Sequence, residues 1–197
     1  MKRLLKMVAL GATALLITSV AVASAAPPQT APGKNPLTCF GDTAAACTTN
    51  GKGSATINTT GTNGGGGVYL VGYNSSFYDV RLSAVTKLSN NVSGDALGID
   101  PRWSIPIDEN NDQVTEAFAF VAFADCNNGA GLVDVINDST CTVNYKGVAY
   151  PNWYTFAHTD GTNFRISFGD YAFIIADLSG APGVWTISNV QVGKPGK

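Results

Sequence analysis

The sequence predicts an all-β fold: a two-sheet antiparallel sandwich with one short helix near residues 151–159. Three observations predict it. The makers of exposed helices are scarce, and Glu occurs only as Glu109 and Glu116. Gly is abundant, at 22 residues, which favours turns. Short apolar runs, several of them alternating with polar residues, recur between Gly, Asn, Asp and Ser clusters.

The N-terminus comes first. Lys2, Arg3 and Lys6 form a positive start, and Val8 to Val22 is apolar and uncharged. Ala23-Ser24-Ala25 supplies the small side chains that a signal peptidase reads. Residues 1–25 are therefore expected to be a signal peptide, cut after Ala25. The apolar run of 15 residues is short of the roughly 20 that a spanning helix needs. No Cys follows it to carry a lipid, and residues 194–197 are a short tail with no apolar anchor. Residues 26–37 hold four Pro and little to bury, so they read as a flexible leader. The expected product is secreted and extracellular, with one domain over 38–193.

Removing Lys2, Arg3 and Lys6 leaves nine basic residues against 14 acidic ones. That balance argues against a nucleic-acid partner, which selects basic surfaces. Cys39, Cys47, Cys126 and Cys141 all lie in the mature part. An even count in an exported chain reads as two disulfides. Four Cys allow three pairings, and sequence proximity favours Cys39–Cys47 and Cys126–Cys141. No C-x-x-C occurs and the one His, His158, is far from both pairs, so zinc is not expected.

Residues 48–67 are mostly Thr, Asn, Gly and Ser, and Gly64 to Gly67 lack the Lys-Ser/Thr of a phosphate loop. They read as a loop. Val68 to Tyr73 reads as a strand. Tyr78 to Leu88 reads as a half-wet strand, with Tyr78, Val80, Leu82 and Ala84 on one face and Asp79, Arg81 and Ser83 on the other. Trp103, Ile105 and Ile107 alternate, and Pro106 places them on an edge or bulged strand. Ala117 to Phe123 is apolar on both faces and reads as central and buried. Leu132 to Ile136, Cys141 to Tyr145, Phe164 to Phe168 and Tyr171 to Leu178 follow. In Val184 to Val192 the apolar parity switches between Ile187 and Val190, which calls for a bulge near Ser188–Asn189. In residues 151–159, Pro151 suits a first turn, Trp153, Phe156 and Ala157 make one stripe, and Gly161 is the stop.

From Val68 to Gly193 the pattern of strands, closing on Trp185-Thr186-Ile187-Ser188-Asn189-Val190-Gln191-Val192, resembles the jelly-roll or concanavalin-like β-sandwich modules of secreted bacterial proteins. The resemblance covers about two-thirds of the chain and carries no diagnostic motif. It implies a jelly-roll-like arrangement, a glycan ligand and, in many such modules, a structural calcium ion.

The most specific local motif is residues 108–116. Asp108, Asn110, Asp112 and Glu116 place side-chain oxygens at positions 1, 3, 5 and 9, and Val114 could add its carbonyl. Calcium needs six to eight oxygens converging on one point. Gln113 and Ala119 stand where a full EF-hand needs Gly and Glu. A simpler calcium loop and a polar turn both remain open. Among the aromatic residues, Trp103, Trp153 and Trp185 are expected in the core. Tyr69, Tyr73, Tyr145 and Tyr171 are further candidates for a sugar-stacking platform. Tyr150 and Tyr154 fall off the helix stripe and are the expected exposed ligand-binding residues. No Gly-x-Ser-x-Gly or His-Glu-x-x-His motif is present, and His158 stands alone. Asp108, Asp112, Glu116, Asp125 and Asp134 are the carboxylates a hydrolase would have to draw on. Asn58, Asn74, Asn91 and Asn137 open short glycosylation patterns. The expected function is non-catalytic binding of a glycan or a cell-surface or matrix component. The alternative is a structural, self-associating surface protein, and a polysaccharide-active hydrolase stands third.

Overall fold

The computed structural model describes residues 37–70, 77–126, 131–177 and 180–193. The predicted signal peptide, residues 26–36 of the leader, Tyr73, Asn74 and the 194–197 tail lie outside the described residues.

Thirteen strands are described: β1 (Leu37–Gly41), β2 (Cys47–Thr49), β3 (Ala55–Asn58), β4 (Gly66–Leu70), β5 (Lys87–Gly94), β6 (Arg102–Asp108), β7 (Ala117–Ala122), β8 (Leu132–Asp134), β9 (Val143–Tyr145), β10 (Val148–Tyr150), β11 (Arg165–Ile166), β12 (Phe173–Ala176) and β13 (Val184–Gly193). The larger sheet has the order β1-β4-β12-β6-β7-β9-β10, with β11 also pairing β6. The smaller sheet has the order β2-β3-β13-β5-β8. Every strand pair is antiparallel. Among the described residues the fold is the expected two-sheet sandwich, with a short α-helix, α1 (Trp153–His158). Among the described residues no helix is long and apolar enough to cross a membrane.

The inner faces of the sheets meet in one core that includes Trp103, Ile105, Ile107, Val121, Ile174, Trp185 and Ile187. Burial of such side chains contributes about 1.5–3 kcal/mol each. Trp103 Nε1 donates to Asn90 Oδ1 at 2.9 Å, joining β6 to β5 across the layers. All three Trp are buried, as the strand parity of Trp103 and Trp185 and the helix stripe of Trp153 predict. Both expected disulfides are present. Cys39–Cys47 ties β1 of one sheet to β2 of the other. In α1, Asn152 caps the helix by accepting from Thr155 N at 2.8 Å, and Trp153, Phe156 and Ala157 form the buried stripe. The bulge in β13 falls between Ser188 and Gln191, where Asn189 has φ 49°.

Several elements differ from the sequence reading, each for a physical reason. Leu37 belongs to β1 and is buried, so the leader ends before it. The stretch 48–67 contains β3, parts of β2 and β4, and no single long loop. Gly66 and Gly67 are strand residues because neighbours fill the space of their side chains. A Cβ on Gly66 would lie 2.4 Å from Ala46 O, and one on Gly67 2.6 Å from Phe40 Cζ. Residues 78–84 keep their predicted alternation but make only one isolated bridge, Arg81 to Arg165, and a 3-10 turn at Leu82–Ala84. Asp79, with φ 58°, interrupts the extended backbone there.

Pro106 lies inside the larger sheet, not at its edge. Its carbonyl accepts from Ser167 N, so its ring nitrogen faces the same side, where β6 changes partner from β12 to β11. No ladder amide is required at that break. The sequence predicts no strand over β1, β2, β3 or β10, and reaches β5 only at Lys87 and Leu88. β5 is rich in Asn and Ser, and its inward positions Leu88, Asn90 and Val92 are only partly apolar. β10 follows a two-residue turn in which Lys146 and Gly147 have φ 47° and 80°, the primed geometry that closes a tight hairpin.

A candidate aromatic binding face

β7 is central, between β6 and β9, but only one of its faces is buried. Ala119 and Val121 point into the core, whereas Phe118 is half-buried and Phe120 is 38% exposed on the outer side. The outer face of the larger sheet is therefore apolar where solvent would favour polar residues.

Register assembles this face. Thr38, Tyr69, Phe173, Ser104, Phe120 and Asn144 form one row across six strands. Phe40, Gly67, Ile175, Arg102 and Ala122 form the next. The Phe40 and Tyr69 ring centroids are 4.2 Å apart at 32°, and Phe40 reaches over side-chain-free Gly67 to make that contact. Phe173 meets Phe40 at 5.8 Å, Tyr69 at 5.7 Å and Phe118 at 5.3 Å. From β1 to β7 the band covers about 19 Å at about 4.8 Å per strand.

Arg102 stands on this band. Its guanidinium bonds both Asp100 and Asp177, and its Cζ lies 5.6 Å from the Phe120 ring centroid. Burial would push the Arg102 pKa down, but the hydrogen bonds and charges of Asp177 and Asp100 outweigh it and hold it above the usual value. Burial raises the Asp100 pKa, with Arg102 opposing. A cleft of about 380 Å³ lies on one side, lined by Ile99, Arg102, Phe120, Asp125 and Asn144 among others. Another of about 460 Å³ lies beside it, lined by Phe40, Asp42, Gly65, Ile175 and Asp177 among others. Burial also raises the Asp125 pKa.

The Ser104 hydroxyl is buried on the outer side of β6 with no hydrogen-bond partner. Phe173 and Phe120 flank it in register. A buried unpaired hydroxyl costs about 1–3 kcal/mol.

No family model, no curated protein and no solved structure matches this chain.

The predicted site residues fare unevenly. Tyr154 is exposed, at 68%, and stacks on His158 at 4.1 Å. Tyr150 is buried instead. Its ring packs on Phe156 at 5.0 Å and its hydroxyl bonds Asp160. It sits on the inward side of β10, which the sequence reading lacked, so the two tyrosines share no platform. Tyr145 is also buried. Tyr69 joins the outer band, and Tyr171 is buried 6.3 Å from it.

In the 108–116 loop, carboxylate oxygens of Asp108, Asp112 and Glu116 lie within 4.8 Å of one another, close enough to share a cation. Asn110 is tied to Asp112, accepting from its N at 3.0 Å and donating to its carboxylate at 3.1 Å. Asp108 Oδ1 accepts from Asn110 N and Asn111 N, and Oδ2 from Gln113 N. Glu116 Oε2 accepts from Glu109 N at 2.7 Å, and Asp112 Oδ1 from Val114 N at 2.9 Å. The Val114 side chain is exposed. These hydrogen bonds close a polar turn without an ion, and Asp108, Asp112 and Glu116 bring three carboxylates toward the six to eight oxygens that calcium requires.

Phe40, Phe118, Phe120, Phe173 and Arg102 escaped the sequence reading. Two signals could have found them. Cys39 must face inward to reach Cys47 on the other sheet, so Phe40 beside it faces out. Phe118 and Phe120 share the parity opposite Ala119 and Val121, and in a two-layer fold one parity of a strand faces water.

Proposed function

We propose that this protein is a secreted, non-catalytic β-sandwich that binds an extended glycan of a cell surface or matrix on the outer face of its larger sheet. The observation that carries the reading is the solvent-side band of Phe40, Tyr69, Phe173 and Phe118, in mutual ring contact. Sugar rings present C–H faces that pack on aromatic planes. Polar groups at the rim, Asn144, Asp125 and Asp42, are placed to bond hydroxyls. A band about 19 Å long suits a chain of sugars better than a single ring. The resemblance to jelly-roll and concanavalin-like modules, and the two disulfides of an oxidising compartment, support the same reading.

Electrophoresis of the mature protein through gels containing soluble polysaccharides tests it. Retardation by at least one polysaccharide, lost in Tyr69→Ala/Phe173→Ala with an unchanged circular dichroism spectrum, is the expected result. Equal retardation of the variant would refute the placement. Size-exclusion chromatography addresses the alternative, in which a second copy covers the same face. A concentration-dependent dimer abolished by the same double substitution would favour self-association.

A further inference from the structure

Charge separates the glycans this face can accept. Among the described residues Arg102 is the single base lining either cleft, and it is already engaged by Asp100 and Asp177. Asp125 in one cleft has no hydrogen-bond partner among the described residues. Asp42 in the other accepts only from Gly65 N, at 2.8 Å. Each cleft therefore joins an aromatic wall to a carboxylate with no cationic partner. We propose that the aromatic face prefers a glycan carrying free amino groups, with Asp125 and Asp42 receiving the ammonium groups on either side of Arg102. This inference rests on the glycan-binding reading above.

Three features converge on it. The Phe120 and Phe40 rings supply the apolar surface for sugar faces. Asp125 and Asp42 are both exposed, so an ammonium group can reach each carboxylate directly from solvent. The unpartnered Ser104 hydroxyl lies in register between Phe173 and Phe120 on the same face. A carboxylated glycan meets the opposite situation, since its charge faces Asp42, Asp125 and the acidic side of the Arg102 cluster.

The test uses the mature protein and one polysaccharide backbone in three forms: free amine, N-acetylated and carboxymethylated. Binding is measured by biolayer interferometry at low and high salt. The free amine is expected to bind about three- to tenfold more tightly than the N-acetylated form, as two exposed ion pairs allow. That advantage is expected to vanish at high salt, and the carboxymethylated form to bind least. Asp42→Asn/Asp125→Asn should remove the preference, bringing the affinity for the free amine down to that for the N-acetylated form measured on the same variant. If that double variant does not fold, Asp125→Asn alone is used, because the Asp125 side chain supports no other group. Equal binding of amine and N-acetylated forms would overturn this inference and leave the aromatic face standing. A preference that survives Asp125→Asn undiminished would also overturn it. Binding of none of the three, with no other polysaccharide bound, would count against the glycan reading itself.

Discussion

Replacing Asp108 by Ala removes the anchor of the 108–116 loop. Asp108 is buried and its carboxylate accepts three backbone amides, at 3.2, 2.6 and 2.9 Å. Those bonds hold Asn111 and Gln113 at φ 65° and 68°, which non-glycine residues rarely adopt. A hydrogen bond to a charged group contributes about 1.5–3 kcal/mol. The donors sit on an exposed turn and regain water when the carboxylate is gone, so the net loss is about 3 kcal/mol rather than the sum of three full bonds. For a domain of this size that is a fall in Tm of about 6–12 °C. Calorimetry at pH 7, in chelator and again in calcium, measures it. The same fall in both conditions is expected, with wild-type Tm indifferent to calcium. Glu116→Gln, which keeps an acceptor for Glu109 N, should cost less than about 1 kcal/mol. A loss under about 1 kcal/mol in chelator that becomes large only with calcium would refute the self-sufficient turn and make the ion its organiser.

Other outcomes follow from single features. Ser104→Ala, which removes a buried hydroxyl without a partner, should raise stability by about 1 kcal/mol in urea unfolding; destabilisation would mean the hydroxyl is satisfied. Burial raises the pKa of Tyr78 and Tyr145, and its bond to Asp160 pushes Tyr150 up to about 12. These phenols stay protonated when folded and ionise near 10 when unfolded, so their stabilisation is whole below pH 10 and declines above it. Thermal melts from pH 9 to 11.5 should show falling Tm, and Tyr150→Phe should flatten the slope. Removing Cys39–Cys47 as a double Ala variant opens a separation of 8 residues, a loss of about 2.5 kcal/mol by loop entropy. It should also weaken glycan binding, because β1 carries Phe40; unchanged binding in the folded variant would show that the face does not need that tether.

The fold class was legible because its signals are local. Alternation in residues 103–107, the parity switch in β13 and the Trp153–Phe156–Ala157 stripe each needed only near neighbours. Both disulfides were legible from spacing. What could not be read depends on partners distant in sequence. Pro106 looked like an edge residue because nothing local shows that β6 changes partner beside it. β5 beyond Leu88 went unread because Asn90 is buried to satisfy Trp103 Nε1 across the sandwich, which polarity alone conceals. The calcium motif and the polar turn share one composition. Phe118 and Phe120 read as core because the whole segment is apolar, and Tyr150 reads as exposed because no strand is predicted over Val148–Tyr150.

The central claim is the location of the ligand on the outer face of the larger sheet. Backbone amide shifts in an NMR titration with oligosaccharides from a retarding polysaccharide test it most directly. Saturable shifts are expected at Phe40, Tyr69, Arg102, Phe118, Phe120 and Phe173, with Tyr154, His158 and the outer face of the smaller sheet silent. Shifts centred on Tyr154 and His158, or on Thr56 and Thr186 of the smaller sheet, would contradict it.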